Sequence, residues 1–189
     1  MQRACRKDVA LLDTPTAQHL LTAPLVARLA YTGKDGTSRL ISVNFLWTGD
    51  DMVIGTFAGA YKIRNLRARL EVAITIDATF VPPQVLMLRG MVTLSETEGV
   101  LPEYATVHRP FMGEEAGAAY GEAIDQPGLR MVRIGLRPAW VGVLDCQQRF
   151  PVLSSQPVLA AYGVERYGRS RVSEAEEIEE GIAGWARSS

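Results

Sequence analysis

The chain has 189 residues, 47% hydrophobic and 22% charged, with a formal net charge of −1. That is enough for one well-packed domain, or one domain with an appendage, and it lacks the basic field that draws a protein to nucleic acid or to an anionic membrane. No apolar run approaches the roughly 18–20 residues of a membrane span, and Asp8 and Asp13 interrupt the short apolar patch near the N-terminus, which argues against a signal peptide.

Thr14-Pro15 reads as a helix start, a capping hydroxyl followed by proline at the first helical position, and predicts a short helix over 15–21. After Pro24 the run LVARLAYT alternates loosely and ends at GKDG, a turn into a second strand over 38–47. The turn 48–51 closes another hairpin, and 52–57 is a third strand. Residues 58–70 change period: Ile63, Leu66 and Leu70 make one apolar helix face, with Lys62, Arg64, Arg67 and Arg69 off it. Free backbone N–H groups at a helix start, with cations nearby, suit a phosphate. A solvated basic face explains the same four residues.

EVAITID (71–77) is a strand by its β-branched content. Pro82-Pro83 breaks the chain before a long strand over 84–94. Gly90 inside that strand marks a bulge or a close approach of other backbone or of a ligand. Residues 101–123 read as helical, and 130–137 and 140–146 as two more strands. The sum is a mainly β chain of α+β type: six or seven strands, mostly hairpin-linked, in a closed or nearly closed antiparallel barrel. Helices and strands do not alternate and no GxGxxG is present, which excludes a Rossmann fold. We expect a domain over 1–150 and an extended arm over 151–189. The arm ends in an amphipathic helix with a Ser173/Glu176 capping box and an Ile178, Ile182, Trp185 face.

The chemistry-bearing residues are few. Cys5 and Cys146 form no CxxC, and His19 and His108 are the only histidines, so no metal site of ordinary ligand spacing is expected. No GxSxG elbow is present. A reducing cytoplasm is the expected compartment.

The segment RLISVNFLWTGDDMVIGTFAGAYKIRNLR (39–67), with the Gly90 strand after it, resembles the pyridoxamine 5′-phosphate oxidase-like family of FMN-binding split barrels over about residues 15–150. In the family an R-x-V-L-L-K strand precedes a strand ending in Y-T and an S-R-K helix start. Here Arg39 matches the arginine, Ile41 and Ser42 sit mid-strand, and Asn44 replaces the lysine. Thr56 matches the threonine, Ala60 and Tyr61 replace serine and arginine, and Lys62 keeps the lysine. Gln84 resembles a glutamine that faces the flavin ring. RNLRARLEVAITID resembles the family's helix-to-strand passage.

The resemblance implies a six-stranded antiparallel split β-barrel with peripheral helices. It also implies FMN in a cleft of a homodimer, with Arg39, Thr56 and Lys62 on the phosphate and Leu40, Ile41, Ser42, Asn44, Tyr61 and Gln84 completing the cofactor set. The protein would then be an oxidoreductase acting on a small molecule. A 5-deazaflavin coenzyme in the same fold is the alternative, and a non-catalytic cofactor-binding or sensing module is the third reading. True pyridoxamine phosphate oxidases end in a tryptophan strand and an R-L-H-x-R motif. Here the matching region is RPAWVGVLDCQQRFP, so pyridoxal phosphate synthesis is not expected. EYATVHRPF places Tyr104 and Arg109 in a region that contacts substrate in the family, and Arg109 is the candidate contact; a surface arginine explains it equally. The residues themselves show no acid–base or nucleophile constellation.

Overall fold

The computed structural model describes residues 9–78 and 83–146. The expected boundary near 150, the arm with its capping box, and Cys5 lie outside the described residues. No helix among the described residues is long and apolar enough to cross a membrane. The elements below belong, up to Leu144, to one compact unit spanning Met1–Ala78 and Gln84–Leu144.

A 3-10 turn, Val9–Asp13, leads into helix α1, Pro15–Thr22. The Thr14 hydroxyl caps α1 by accepting the Ala17 N–H at 3.3 Å, as the Thr14-Pro15 pair predicts. Four strands follow: β1 (Ala27–Thr32), β2 (Ser38–Val43), β3 (Leu46–Trp47) and β4 (Met52–Phe57). Helix α2 is Tyr61–Leu66; β5 is Glu71–Ala78 and β6 is Gln84–Glu98. Two helices, α3 (Pro102–Met112) and α4 (Glu114–Ile124), precede β7 (Arg130–Leu136) and β8 (Trp140–Asp145).

The described strands number eight, joined antiparallel in the order β2-β1-β5-β6-β7-β4-β3, with β8 on β6. The expected strand over 38–47 is two strands. β1 begins at Ala27, which pairs with Val43, so β2 has no partner beyond that point. The chain crosses at Asn44-Phe45 and pairs again with β4, Leu46 opposite Val53. β2 and β3 are therefore the two ends of the strand path and are also consecutive in the chain. The crossing joins those ends through the chain and not by strand pairing, so the mainly β barrel stays open between β2 and β3. β6 is long enough to serve both halves: Gln84 to Met91 pair with β5, and Val92 to Glu98 with β7.

Two helices differ from expectation. The long helix over 101–123 is broken at Gly113, whose φ of 83° lies outside the helical region. The segment 58–70 gives only Tyr61–Leu66. Ala60 is extended and spends its N–H on Phe57, while Ala68 and Arg69 both donate back to the Asn65 carbonyl at 3.0 and 3.1 Å.

The core follows the strand alternation. In β5, Val72, Ile74, Ile76 and Ala78 point inward, and Leu29, Leu86, Leu88, Ile134 and Val141 meet them. Ile63 and Leu66, the expected apolar face of α2, are fully buried, with Leu70 packed against the same cluster. Each such aliphatic side chain contributes about 1.5–3 kcal/mol by leaving water. Gly90 is where backbone comes close: a Cβ there would lie 2.9 Å from Leu136 Cδ1 and 3.0 Å from the Arg137 carbonyl.

Candidate functional site

The crossing at Asn44 opens a cavity of about 270 Å³. Ser42, Val43 and Asn44 form one wall, Val53 to Phe57 of β4 a second, Lys62 of α2 a third, and Glu103, Tyr104, Val107 and His108 of α3 the fourth. Each wall has a local cause. Ser42 is exposed near the end of β2, and Asn44 is half-buried at the strand break. Gly55 lets α3 approach β4, since a Cβ there would lie 2.9 Å from the Tyr104 ring. Glu103, Tyr104, Val107 and His108 recur at helical spacing on one face of α3.

Lys62 is the centre of the cavity's electrostatics. It is half-buried, and burial lowers its ammonium pKa; no carboxylate among the described residues raises it. The other basic side chains of this segment are occupied. Arg64 lies over the Tyr61 ring at 5.0 Å, Arg67 pairs with Glu96, and Arg69 donates to the Gly33 carbonyl at 3.2 Å. Thr56, only 6% exposed, lines the same cavity. Glu103 is the cavity's one carboxylate among the described residues. It accepts from Arg133 Nε at 2.8 Å, and that bond holds its pKa below the ordinary glutamate range. Burial and the Tyr120 hydroxyl, 3.2 Å away, push the Tyr104 phenol far above its ordinary value, so it is neutral.

Of the expected site residues, the fold brings Ser42, Asn44, Thr56 and Lys62 to the cavity. It places the others elsewhere. Arg39 donates to Asp35 at 2.8 Å, beside Tyr61. Leu40 is 66% exposed on the edge strand, and Ile41 packs on the core. Tyr61 is exposed under Arg64. Gln84 stands at the far end of β6, opposite Ala78. Arg109 is exposed and lines a separate groove between α3 and α4. Sequence reasoning missed Glu103, Val107 and His108 as cavity residues. The spacing of Tyr104 and His108, four apart on one helix, is the signal that could have found His108.

No protein-family model matches the chain, and no curated protein matches it. Solved structures do. An F420 reductase is 23% identical, with a TM-score of 0.52 over 66% of this chain and 94% of that one. A conserved hypothetical protein from Mycobacterium tuberculosis is 17% identical, with a TM-score of 0.55 over 77% and 89%. A pyridoxamine 5′-phosphate oxidase-related, FMN-binding protein from Nostoc punctiforme is 13% identical, with a TM-score of 0.50 over 70% and 81%. At these identities the likeness is one of fold. The chain has the split-barrel fold of the pyridoxamine 5′-phosphate oxidase-like proteins.

Proposed function

We propose that this cavity holds the phosphate end of a flavin-type cofactor, and that the protein is an oxidoreductase using FMN on a small molecule other than pyridoxamine phosphate. The observation that carries this is Lys62: a half-buried ammonium without a carboxylate partner among the described residues, in a cavity it shares with Thr56. An anionic phosphate satisfies such a cation, and the Thr56 hydroxyl adds a donor. The fold's likeness to an FMN-binding protein and to an F420 reductase supports the same reading.

Lys62 would hold the phosphate and Thr56 would donate to it. Ser42 and Asn44 would flank the group, next to the free edge of β2, which pairs only with β1 in the strand path. A ring bound there supplies hydride or electron transfer, while the chain binds and orients it. Arg39 would join the phosphate grip only by leaving Asp35. The exposed Leu40 and Met91 support a homodimer, in which a second copy covers apolar side chains. Of the expected set, Leu40, Ile41, Tyr61, Gln84 and Arg109 also stand outside this cavity.

The likeness to an F420 reductase favours the 5-deazaflavin coenzyme as a second reading. That coenzyme also carries a phosphate, so Lys62 serves both. Absorbance of the purified protein, followed by titration with FMN and with the deazaflavin, tests the proposal. Binding of either at micromolar concentration or tighter is expected. A protein that binds neither contradicts it.

A further inference from the structure

His108 carries an inference about the chemistry of the same cavity. Its Nδ1 lies 2.8 Å from the backbone carbonyl oxygen of Tyr104, one turn back along α3. A carbonyl oxygen only accepts, so Nδ1 carries the proton of the neutral ring. That leaves the lone pair of the neutral ring on Nε2. His108 lines the cavity together with Lys62 and Thr56. The ring is held in place by aromatic neighbours, with Tyr104 at 4.3 Å and Tyr120 at 5.4 Å between centroids.

The groups around it leave histidine the proton-transfer role. Tyr104 and Tyr120, from α3 and α4, are joined through their hydroxyls. Glu103 is tied to Arg133 of β7. Lys62, from α2, is the cation assigned to the phosphate.

We propose that His108 is the proton-transfer residue of the cavity, moving at Nε2 the proton that accompanies hydride transfer to a small, uncharged, planar substrate with a polarised double bond. The inference rests on the cofactor reading above. A reduced flavin or deazaflavin coenzyme bound here would supply the hydride for the new C–H bond as the π bond of the substrate breaks. The Nε2 lone pair first takes a proton from water; the electron pair released from the π bond goes to the heteroatom or conjugated oxygen, which accepts that proton from Nε2, and the ring returns to its neutral Nδ1–H form. The substrate is uncharged because the cavity's cation is used by the phosphate and its carboxylate by Arg133. It is planar because a polarised, conjugated double bond keeps its atoms in one plane.

Two measurements on the full chain test this. In 15N-labelled protein the two histidines are assigned by comparison with His108→Gln, and the nitrogen shifts of His108 are expected to report the Nδ1–H tautomer. The second measurement uses cofactor-loaded protein with 2-cyclohexen-1-one and menadione as hydride acceptors. His108→Gln is expected to lower kcat about 100-fold, within the range of general acid–base catalysis, with the cofactor Kd unchanged. His108→Ala is expected to regain rate when imidazole is added, which a packing role alone does not produce. An Nε2–H tautomer, an unchanged kcat in His108→Gln, or no turnover of either acceptor by loaded wild-type protein overturns the proposal. Failure of the wild type to bind cofactor is a separate result: it overturns the cofactor reading and this inference with it.

Discussion

The carboxamide oxygen of Asn65 accepts the backbone N–H of Lys34 at 2.9 Å, tying helix α2 to the turn between β1 and β2. The amide nitrogen of the same side chain donates to the Tyr61 carbonyl at 3.0 Å. Asn65 is 1% exposed, so both bonds are sheltered from water. Together they set the first turn of α2, and with it the backbone that carries Lys62.

Asn65→Ala is therefore expected to destabilise the fold by about 1–3 kcal/mol, the cost of leaving a sheltered backbone group such as the Lys34 N–H without its partner. Urea denaturation checks this. Asn65→Asp keeps the acceptor for Lys34, loses the donor to Tyr61 and buries a charge, so it is expected to be destabilising as well. A change within experimental error for both variants contradicts the tether.

Gly90→Ala is expected to cost about 1–3 kcal/mol, the usual range for overpacking. The new methyl would sit 3.0 Å from the Arg137 carbonyl, which is backbone and cannot rotate away. The shift in thermal or urea midpoint reads it directly.

Acid sensitivity should have a component from Glu103. Its pKa is lowered in the folded state, chiefly by the bond from Arg133. A carboxylate with a depressed folded pKa contributes stability that is complete above its unfolded value and is lost as pH falls through the folded one. Glu103→Gln is thus expected to lower the urea midpoint near neutral pH, and the gap from wild type should close below about pH 4. A gap that is constant across that range, or widens in acid, contradicts the assignment.

Much of the fold was legible because the signals were local. Thr14-Pro15 placed a helix start, β5 alternated along its length, and Gly90 announced the approach of another chain segment. The failures were non-local. Nothing within residues 38–47 shows that β1 begins only at Ala27, opposite Val43, so the crossing at Asn44 read as continuous strand. AGAAYGEA continues the helical composition past Gly113 and hid the break there. The site divided in the same way. Lys62 and Thr56 were expected together from the resemblance, and the fold brings them to one cavity. Arg39 was expected beside them, but its side chain is taken by Asp35, four residues away across a turn. The α3 wall was unreadable because its position depends on Gly55 admitting the Tyr104 ring, a contact between residues 49 apart in the chain.

Lys62 separates binding from folding. Burial disfavours its charge, and no carboxylate among the described residues offsets that cost. Lys62→Met is accordingly expected to leave stability unchanged or to raise it. As the pH rises through the lowered folded pKa, the wild type should gain on the variant, since the penalty falls on the charged form.

The most direct test of the central claim compares FMN with riboflavin, which lacks the phosphate, in wild type and Lys62→Ala. Wild type is expected to prefer FMN. Lys62→Ala should lose about 1.5–3 kcal/mol of FMN affinity, the scale of a hydrogen bond to a charged group, with riboflavin binding unchanged. Equal losses for both ligands, or an unaltered preference for FMN, would contradict Lys62 as the phosphate-holding residue.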